Sequence, residues 1–501
     1  MVQGSLWNSY SNKNVSYPAL KGDIAVDVAI IGGGITGITS AQLLVERGYK
    51  VAVLEAKSIG KGTTGHSTGN LYVIIDELLS KLKSKYDGKV VERVISSRLE
   101  AFKKIEQNVK NFQIDCDYKK QPLFLFEDAN TFKILEEKKV AKEIDLAFFE
   151  LSEAFPFIHD DGMRLDDQAQ FNPLLYIQGL AGALDGENCQ IYEETCVRAV
   201  EEEENRILLH TPEAIVSAKH AIHATHTPKG LEIQYHTTLG PYREYGVAAR
   251  LKSNEYPEGI FWGYYDNKKY SIRSYSRGND NFLLAVGSPH KVGQAKDNQA
   301  HVEDLKNFVE SRFNVAEFTH VWGGQNYKPA DLLPYIGRKK TNSRELVATG
   351  FSTDGLVYGT LAAIILADKV EDKFNPYEDL YEASRHNPAK AAGKFIKENA
   401  NVAGELFKDL TFKGDDKDLV EILPGEAAVI VRDGKKLALY KENDGKLSIL
   451  SALCTHMACE VHWNNVEKSW DCPCHGSRFD TSGEVIEGPA FNALKKIEIN
   501  K

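Results

Sequence analysis

No stretch of the 501-residue chain is long and apolar enough to span a bilayer. The best candidate, "GLVYGTLAAIILADKV" (355–370), is short and interrupted by glycine, and reads as a buried helix. The opening "MVQGSLWNSYSNKNVSYPALKG" lacks the apolar core of a signal peptide, so a cytoplasmic protein without a membrane span is expected. Positive charge is not in excess either. Lys and Arg number 61 against 71 Asp and Glu, a net charge of −10, which argues against a nucleic-acid surface. Cysteine is sparse through the first 400 residues, where Cys116, Cys189 and Cys196 stand apart and each reads as a buried thiol. The other four of the seven cysteines crowd into "CTHMACEVHWNNVEKSWDCPCHGS" (454–477). Hydrophobic content of 42% and charged content of 26% are those of a globular protein, and the length calls for two or three domains.

The first chemical signal is "VDVAIIGGGITGITSAQLLVERGYKVAVLEA" (26–56). A short apolar strand runs into Gly32-x-Gly34-x-x-Gly37, a helical pattern follows, and a second strand ends at Glu55. The first glycine makes the tight turn, and the second lets backbone N–H groups approach a pyrophosphate at a helix N-terminus. The third allows close packing of helix on strand, and Glu55 is placed to accept from the adenosine ribose. A dinucleotide site is expected.

Three further stretches resemble the D-amino-acid oxidase family, which includes glycine and sarcosine oxidases. "GKGTTGHSTGN" (60–70) is similar to its second flavin-contacting loop, making Thr64, His66 and Ser67 implied contacts. "AKHAIHAT" (218–225) is similar to the strand that closes the FAD domain. "WGGQNYKPADLLPYIGR" (322–338) and "ATGFSTDGLVYGTLAA" (348–363) resemble the C-terminal flavin motif. There Gly350, Ser352, Gly355 and Leu356 lead into a helix whose N-terminus faces the flavin ring. The resemblance covers roughly 25–400, and no second GxGxxG marks a nicotinamide-dependent disulfide reductase. It implies an α/β, Rossmann-like FAD-binding domain in pieces near 1–95, 166–230 and 330–400. An interleaved α+β substrate domain would fill 96–165 and 231–329. "YSIRSYSRGNDNFLLAVGSPH" (270–290) alternates like a hairpin. Relatives use an Arg there for the substrate carboxylate, so Arg273 is the implied candidate, with Arg277 in reserve. In dimethylglycine and sarcosine dehydrogenases a stretch similar to "GTTGHSTG" carries a histidine bonded to the flavin. His66 stands in that register, either bonded or lining the pocket. His220, His223 and His226 read as structural, because alternation along a strand sends His220 and His223 to opposite faces. Glu201 to Glu204 reads as a solvated turn between strands.

A helical linker, 401–416, with no Gly/Ser-rich tether, predicts a docked rather than swinging C-terminal domain at 417–501. "AAVIVRDGKKLALYKENDGKLSIL" (427–450) alternates around Asp-Gly turns, so that domain is all-β. Cys454-x-His456 and Cys472-x-x-His475 supply a Cys2His2 donor set, which zinc also accepts. With Cys459 and Cys474 in fixed places, the whole pattern resembles a Rieske [2Fe–2S] domain. The resemblance implies one iron on two Cys, the other on two His, and a Cys459–Cys474 disulfide linking the two loops. Gly488-Pro489 would cover the third side. Ser477 matches a serine that donates to a bridging sulfide, and Phe479 replaces a tyrosine that donates to a cysteine sulfur, so an intermediate potential is expected. Ala458 replaces a common glycine.

No Asp-x-x-His-x(3–4)-His motif supplies an oxygenase iron, which leaves the flavin as the cluster's partner within the chain. The expectation is an FAD-dependent oxidoreductase that removes a hydride from a C–N bond of a small amine or amino acid. Electrons would pass singly through the cluster to an external acceptor. Alternatives are a redox sensor without small-molecule turnover, or a reductase running from cluster to flavin.

Overall fold

The computed structural model describes residues 1–498, other than 13–14, 128–132, 155–156, 231–232, 254, 266–267, 386–387 and 412–421. The start of the expected C-terminal domain at 417 lies outside the described residues.

Ile24–Ile31 forms the middle of a mainly parallel sheet, flanked by Val51–Leu54 and Ile215–His223. Cys189–Tyr192 lies beyond the first and Glu345–Thr349 beyond the second, with Tyr335–Arg338 antiparallel at the edge. Val28–Ile31 and Val51–Leu54 are buried throughout, as strands covered on both faces must be. Helix α1 (Ile35–Glu46) and helix α2 (Gly355–Val370) pack together against this sheet. Helix α2 is the apolar run of the sequence, buried along most of its length. Among the described residues no helix is long and apolar enough to cross a membrane.

The second sheet is mostly antiparallel and is built around a long ribbon of β1 (Leu239–Leu251) and β2 (Val315–Pro329). The expected hairpin forms beside it from Lys268–Arg277 and Asp280–Lys291, turning at Gly278 with φ +60°. Strand pairing departs from the expected division of pieces. Val2–Gln3 and Asn70–Leu71, assigned to the FAD piece 1–95, hydrogen-bond into this second sheet. Phe157–Gln170 also runs across the expected boundary at 165–166. Short segments adjoining a glycine loop carry no periodicity of their own, so their sheet is chosen by tertiary pairing.

Helix α3 (Pro388–Thr411) runs through most of the expected linker. Asn399 donates to Thr237 O at 2.9 Å, Lys394 donates to Pro329 O at 3.3 Å, and Val402 packs on the C-terminal core. The C-terminal domain is therefore docked, as expected. Its first sheet is Ala427–Arg432, Lys435–Lys441 and Leu447–Ser451, with Asp433 and Gly434 at φ +49° and +71° in the first turn. Its second, His462–Asn464, Ser469–Asp471, Arg478–Phe479 and Val485–Glu487, holds the cysteine loops at one end. Cys116 and Cys189 are buried and Cys196 is half-buried. Glu201 to Glu204 is exposed, at the end of a strand pair formed by Ala199–Glu202 and Ile207–His210.

Candidate functional site

Two loops bring the C-terminal donors together. In the first, Cys454 N–H donates to Cys459 O at 2.8 Å; in the second, Cys472 N–H donates to Ser477 O at 2.8 Å. Cys459 and Cys474 are joined as a disulfide with Cα atoms 6.6 Å apart, tying one loop to the other. The His456 and His475 rings lie 5.0 Å apart, centroid to centroid. A hydrogen bond from the Cys472 thiol draws Cys454 down to about 7, and the same contact pushes Cys472 up. The Nδ1 atoms of both histidines are buried with no hydrogen-bond partner. Two buried imidazole nitrogens without partners, on the same two loops as two contacting thiols, are a donor set that suits a metal centre. Ala458 adopts φ +57°, which explains why a glycine is common there. Ser477 Oγ accepts from Ala490 N–H at 3.0 Å, fastening the third loop, and Phe479 is fully buried.

At the glycine turn, Gly32 has φ +110°, and a methyl on Gly37 would overlap the Gly32 carbonyl. Glu55 accepts from Gly33 N–H at 2.8 Å and from Lys57 N–H at 2.9 Å. Thr64 Oγ1 accepts from Ile35 N–H at 3.1 Å, at the N-terminus of α1. Ser67 Oγ accepts from Gly69 N–H at 3.0 Å. His66 Nδ1 lies 2.8 Å from Gly62 O, so Nδ1 carries the hydrogen and Nε2 is the other ring nitrogen. At the start of α2, Gly350 and Ser352 have φ +79° and +50°, and Leu356 is buried. A Cβ on Gly355 would meet nothing within 4 Å. Glu55, His66, Tyr72, Glu244, Lys269 and Lys328 lie deep in the protein yet keep accessible surface, so they border an interior hollow. A glycine cradle, a free helix N-terminus and a hollow between them fit a dinucleotide.

The ribbon of β1 and β2 separates this hollow from the cysteine loops. Successive side chains of a strand point to opposite faces. On one face Trp322, Gly324, Asn326 and Lys328 stand directly opposite Gly246, Glu244, Tyr242 and Gly240. This face meets the flavin-type loop: Trp322 Nε1 donates to His66 O at 2.9 Å and Lys328 Nζ reaches Asp76 at 2.9 Å. The other face meets the C-terminal domain. Gln325 donates to Gly476 O at 2.8 Å, and Tyr327 OH donates to His475 O at 3.3 Å and Gly488 O at 3.1 Å. Arg243 grips Glu467 through both carboxylate oxygens.

The model of the family described as "FAD dependent oxidoreductase" (DAO) matches residues 27–369. The chain belongs to that family. A second model, for the Rieske [2Fe-2S] domain, matches residues 414–498. The "Putative Rieske 2Fe-2S iron-sulfur protein YhfW" of Bacillus subtilis (strain 168) is 32% identical over 496 residues, covering 97% of this chain and 96% of that protein. The gamma-glutamylputrescine oxidoreductase of Escherichia coli (strain K12) is 24% identical, covering 75% and 91% respectively. Among solved structures, glycine oxidase from Geobacillus kaustophilus aligns with a TM-score of 0.61 at 19% identity, over 72% of this chain and 99% of its own. That likeness shows the fold. The cofactors are FAD and a Rieske-type [2Fe–2S] cluster.

In this FAD-dependent oxidoreductase the two implied substrate arginines do not converge on the hollow with free guanidinium groups. Arg273 is 2% exposed, and its Nη1 donates to Thr68 O, Gly69 O and Phe171 O at 2.8, 3.0 and 3.3 Å. It braces the loop that follows His66. Arg277 pairs with Asp115 and Asp117 at 2.8 and 2.7 Å. Of the three histidines read as structural, His223 pairs with Glu345 at 2.7 Å, whereas His226 bridges the domains, 2.9 Å from Glu487 and 3.2 Å from Thr63. His236 was not foreseen at all. Its ring packs 4.5 Å from that of His456 and 5.5 Å from that of His475, closing the imidazole edge of the metal site together with Gly230, whose carbonyl lies 3.2 Å from His456 Nε2. The one available signal was in "GPYREYGVAAR" and "WGGQNYKPA", where polar residues occupy both phases of the alternation. A strand with no plainly apolar face has polar partners on both sides.

Proposed function

We propose that this oxidoreductase oxidises the C–N bond of a small amine or amino acid and passes the electrons through its Rieske centre to an external one-electron acceptor. The observation that carries this reading is the ribbon, whose alternate residues face the hollow and the cysteine loops, leaving the two sites one sheet apart. Bound FAD accepts electrons in a pair and releases them singly, and a Rieske cluster takes one at a time at a potential raised by its two imidazole ligands.

The chain's own residues supply placement. Gly32, Gly34, Gly37 and the α1 N-terminus cradle the pyrophosphate, and Glu55 meets the ribose. The α2 N-terminus, reached through Gly350, Ser352, Gly355 and Leu356, sets partial positive charge where a reduced ring is negative. Thr64, His66 and Ser67 line the loop against it. Cys454 and Cys472 hold one iron, and His456 and His475 the other. Tyr327, Gln325 and His226 fix the second and third cluster loops to the wall of the flavin domain, and Gly230 with His236 packs on the imidazole edge. The packing of His236 and Gly230 on the imidazole edge turns it toward the flavin domain, which favours delivery from within the chain.

Anaerobic mixing with a panel of amines, amino acids and hydroxy acids tests the reading. At least one amine should bleach the flavin, and the cluster's EPR signal should grow as flavin absorbance partly recovers. A panel in which only hydroxy acids bleach, or nothing does, overturns it. The flavin is expected to be held without a covalent bond to His66, so acid precipitation should leave the yellow colour in the supernatant. A yellow pellet would show the bond.

A further inference from the structure

The hollow contains one charged group that nothing satisfies. Glu244, on β1, stands opposite Gly324, whose Cβ direction points toward His66 O at 3.7 Å, so the carboxylate projects from the ribbon's inner face. Among the described residues it makes no hydrogen bond and no ion pair. Every cation around it is committed elsewhere. Lys328 is held by Asp76 and Glu77 at 2.9 and 3.4 Å, and Lys269 by Asp76, with its Nζ over the Trp262 ring at 4.3 Å. Lys291 is held by Glu398, and Arg273 by backbone carbonyls. Tyr242, two residues from Glu244 along the same face of β1, is half-buried beside it. A carboxylate deep in the protein, whose nearest cation Lys328 is already bonded to other carboxylates, is costly and is retained where a ligand supplies further positive charge.

We infer that Glu244 anchors a cationic nitrogen of the substrate, so that the site selects ammonium-bearing amines and has no place for a molecule whose only charge is a carboxylate. The inference rests on the C–N oxidation proposed above and adds the recognition element. Burial pushes the Glu244 carboxyl up, partly offset by Lys328, and an arriving ammonium reverses that by forming a charge-assisted hydrogen bond.

Three ions sharing one quaternary carbon, and none with an oxidisable C–H beside nitrogen, separate the possibilities: tert-butylammonium, 2-aminoisobutyrate and trimethylacetate. Titrated into the oxidised holoenzyme and followed by the flavin spectrum, tert-butylammonium should bind best, the zwitterion less well and the anion not at all. E244Q, which keeps the side chain's shape, should weaken tert-butylammonium by about tenfold or more. E244D should recover part of the loss. FAD content and the cluster's EPR signal, equal to those of the wild type, show that each variant is folded. Binding of trimethylacetate as tight as that of the cation, undiminished affinity in E244Q, or no response to the cation would each overturn the inference. Failure of the C–N reading looks different: tert-butylammonium would still bind through Glu244 while no amine reduced the flavin. If Glu244 alone is misassigned, amines reduce the flavin and E244Q binds the cation as the wild type does.

Discussion

Cys454→Ser and His475→Ala should each remove the [2Fe–2S] EPR signal completely while the purified protein keeps its full complement of FAD. The cluster's donors sit on a core of their own, built from residues such as Val429, Leu450, Val461, Trp470 and Leu494. The glycine turn belongs to a different core, with Val28, Ile30, Ile38 and Val53. Loss of one centre therefore leaves the other standing. Docking should also survive, because Tyr327 and Gln325 bond to backbone carbonyls at His475, Gly476 and Gly488 rather than to the ligand side chains. In these variants substrate should still bleach the flavin, and turnover with one-electron acceptors should stop. Metal and sulfide analysis, EPR, and anaerobic absorbance check each part. A variant without a cluster that served such acceptors at the full rate would sink the internal route, and zinc in place of iron and sulfide would undo the ligand assignment.

What was legible in the sequence is what is local in the chain. The four cluster donors and the disulfide partners lie within one short segment, so the resemblance to the Rieske pattern could be seen there and implied both the ligands and the disulfide. The glycine turn is equally local, since a positive φ at Gly32 and the contact of Gly37 with the Gly32 carbonyl are set within a few residues. The C-terminal hairpins announced themselves through Asp-Gly turns, and the 268–291 hairpin through its alternation. What could not be read depends on partners far away in the chain. Arg273 lies on a strand, as expected, but its task is set by the Thr68–Gly69 segment brought against that face. His226 lies in the bend that follows a strand, and its neighbour, Glu487, comes from the C-terminal domain. Val2–Gln3 and Asn70–Leu71 are too short to carry a period, so which sheet they join is a tertiary matter. The wall between the two centres is the clearest case. Alternation in β1 and β2 is visible in the sequence, yet its meaning, with one phase toward each cofactor, needs both partners in place.

That wall also carries the second large expected effect. Arg243 is 2% exposed, and its only ion-pair partner among the described residues is Glu467, across the domain boundary. Burial would raise the Glu467 carboxyl, but Arg243 and Arg478 beside it hold it down at about 2, from 4.5. Arg243→Ala leaves that carboxylate with Arg478, at 3.3 Å, as its one remaining ion-pair partner among the described residues, and with Asn464, which donates to it at 3.4 Å. Breaking one side of a buried pair costs about 3–5 kcal/mol, and the remaining arginine places this case near the lower end. The loss falls on docking rather than on either core, so thermal unfolding should split into two transitions, with the C-terminal domain melting apart from the flavin domain. The cluster's EPR signal should then lag behind flavin bleaching, because the ribbon no longer holds the loops in place. Replacing both partners by methionine removes the charge along with its penalty and should restore much of the docking. The pH dependence follows from the sign of the shift. A carboxyl depressed from 4.5 to about 2 contributes its full stabilisation above 4.5 and loses it as pH falls toward 2. Docking in the wild type should thus hold unchanged through neutral and mildly acidic pH and fail only in strong acid. Arg243→Ala should already be weak at pH 7. A single transition, and a cluster that fills as fast as in the wild type, would show that Arg243 does not govern docking.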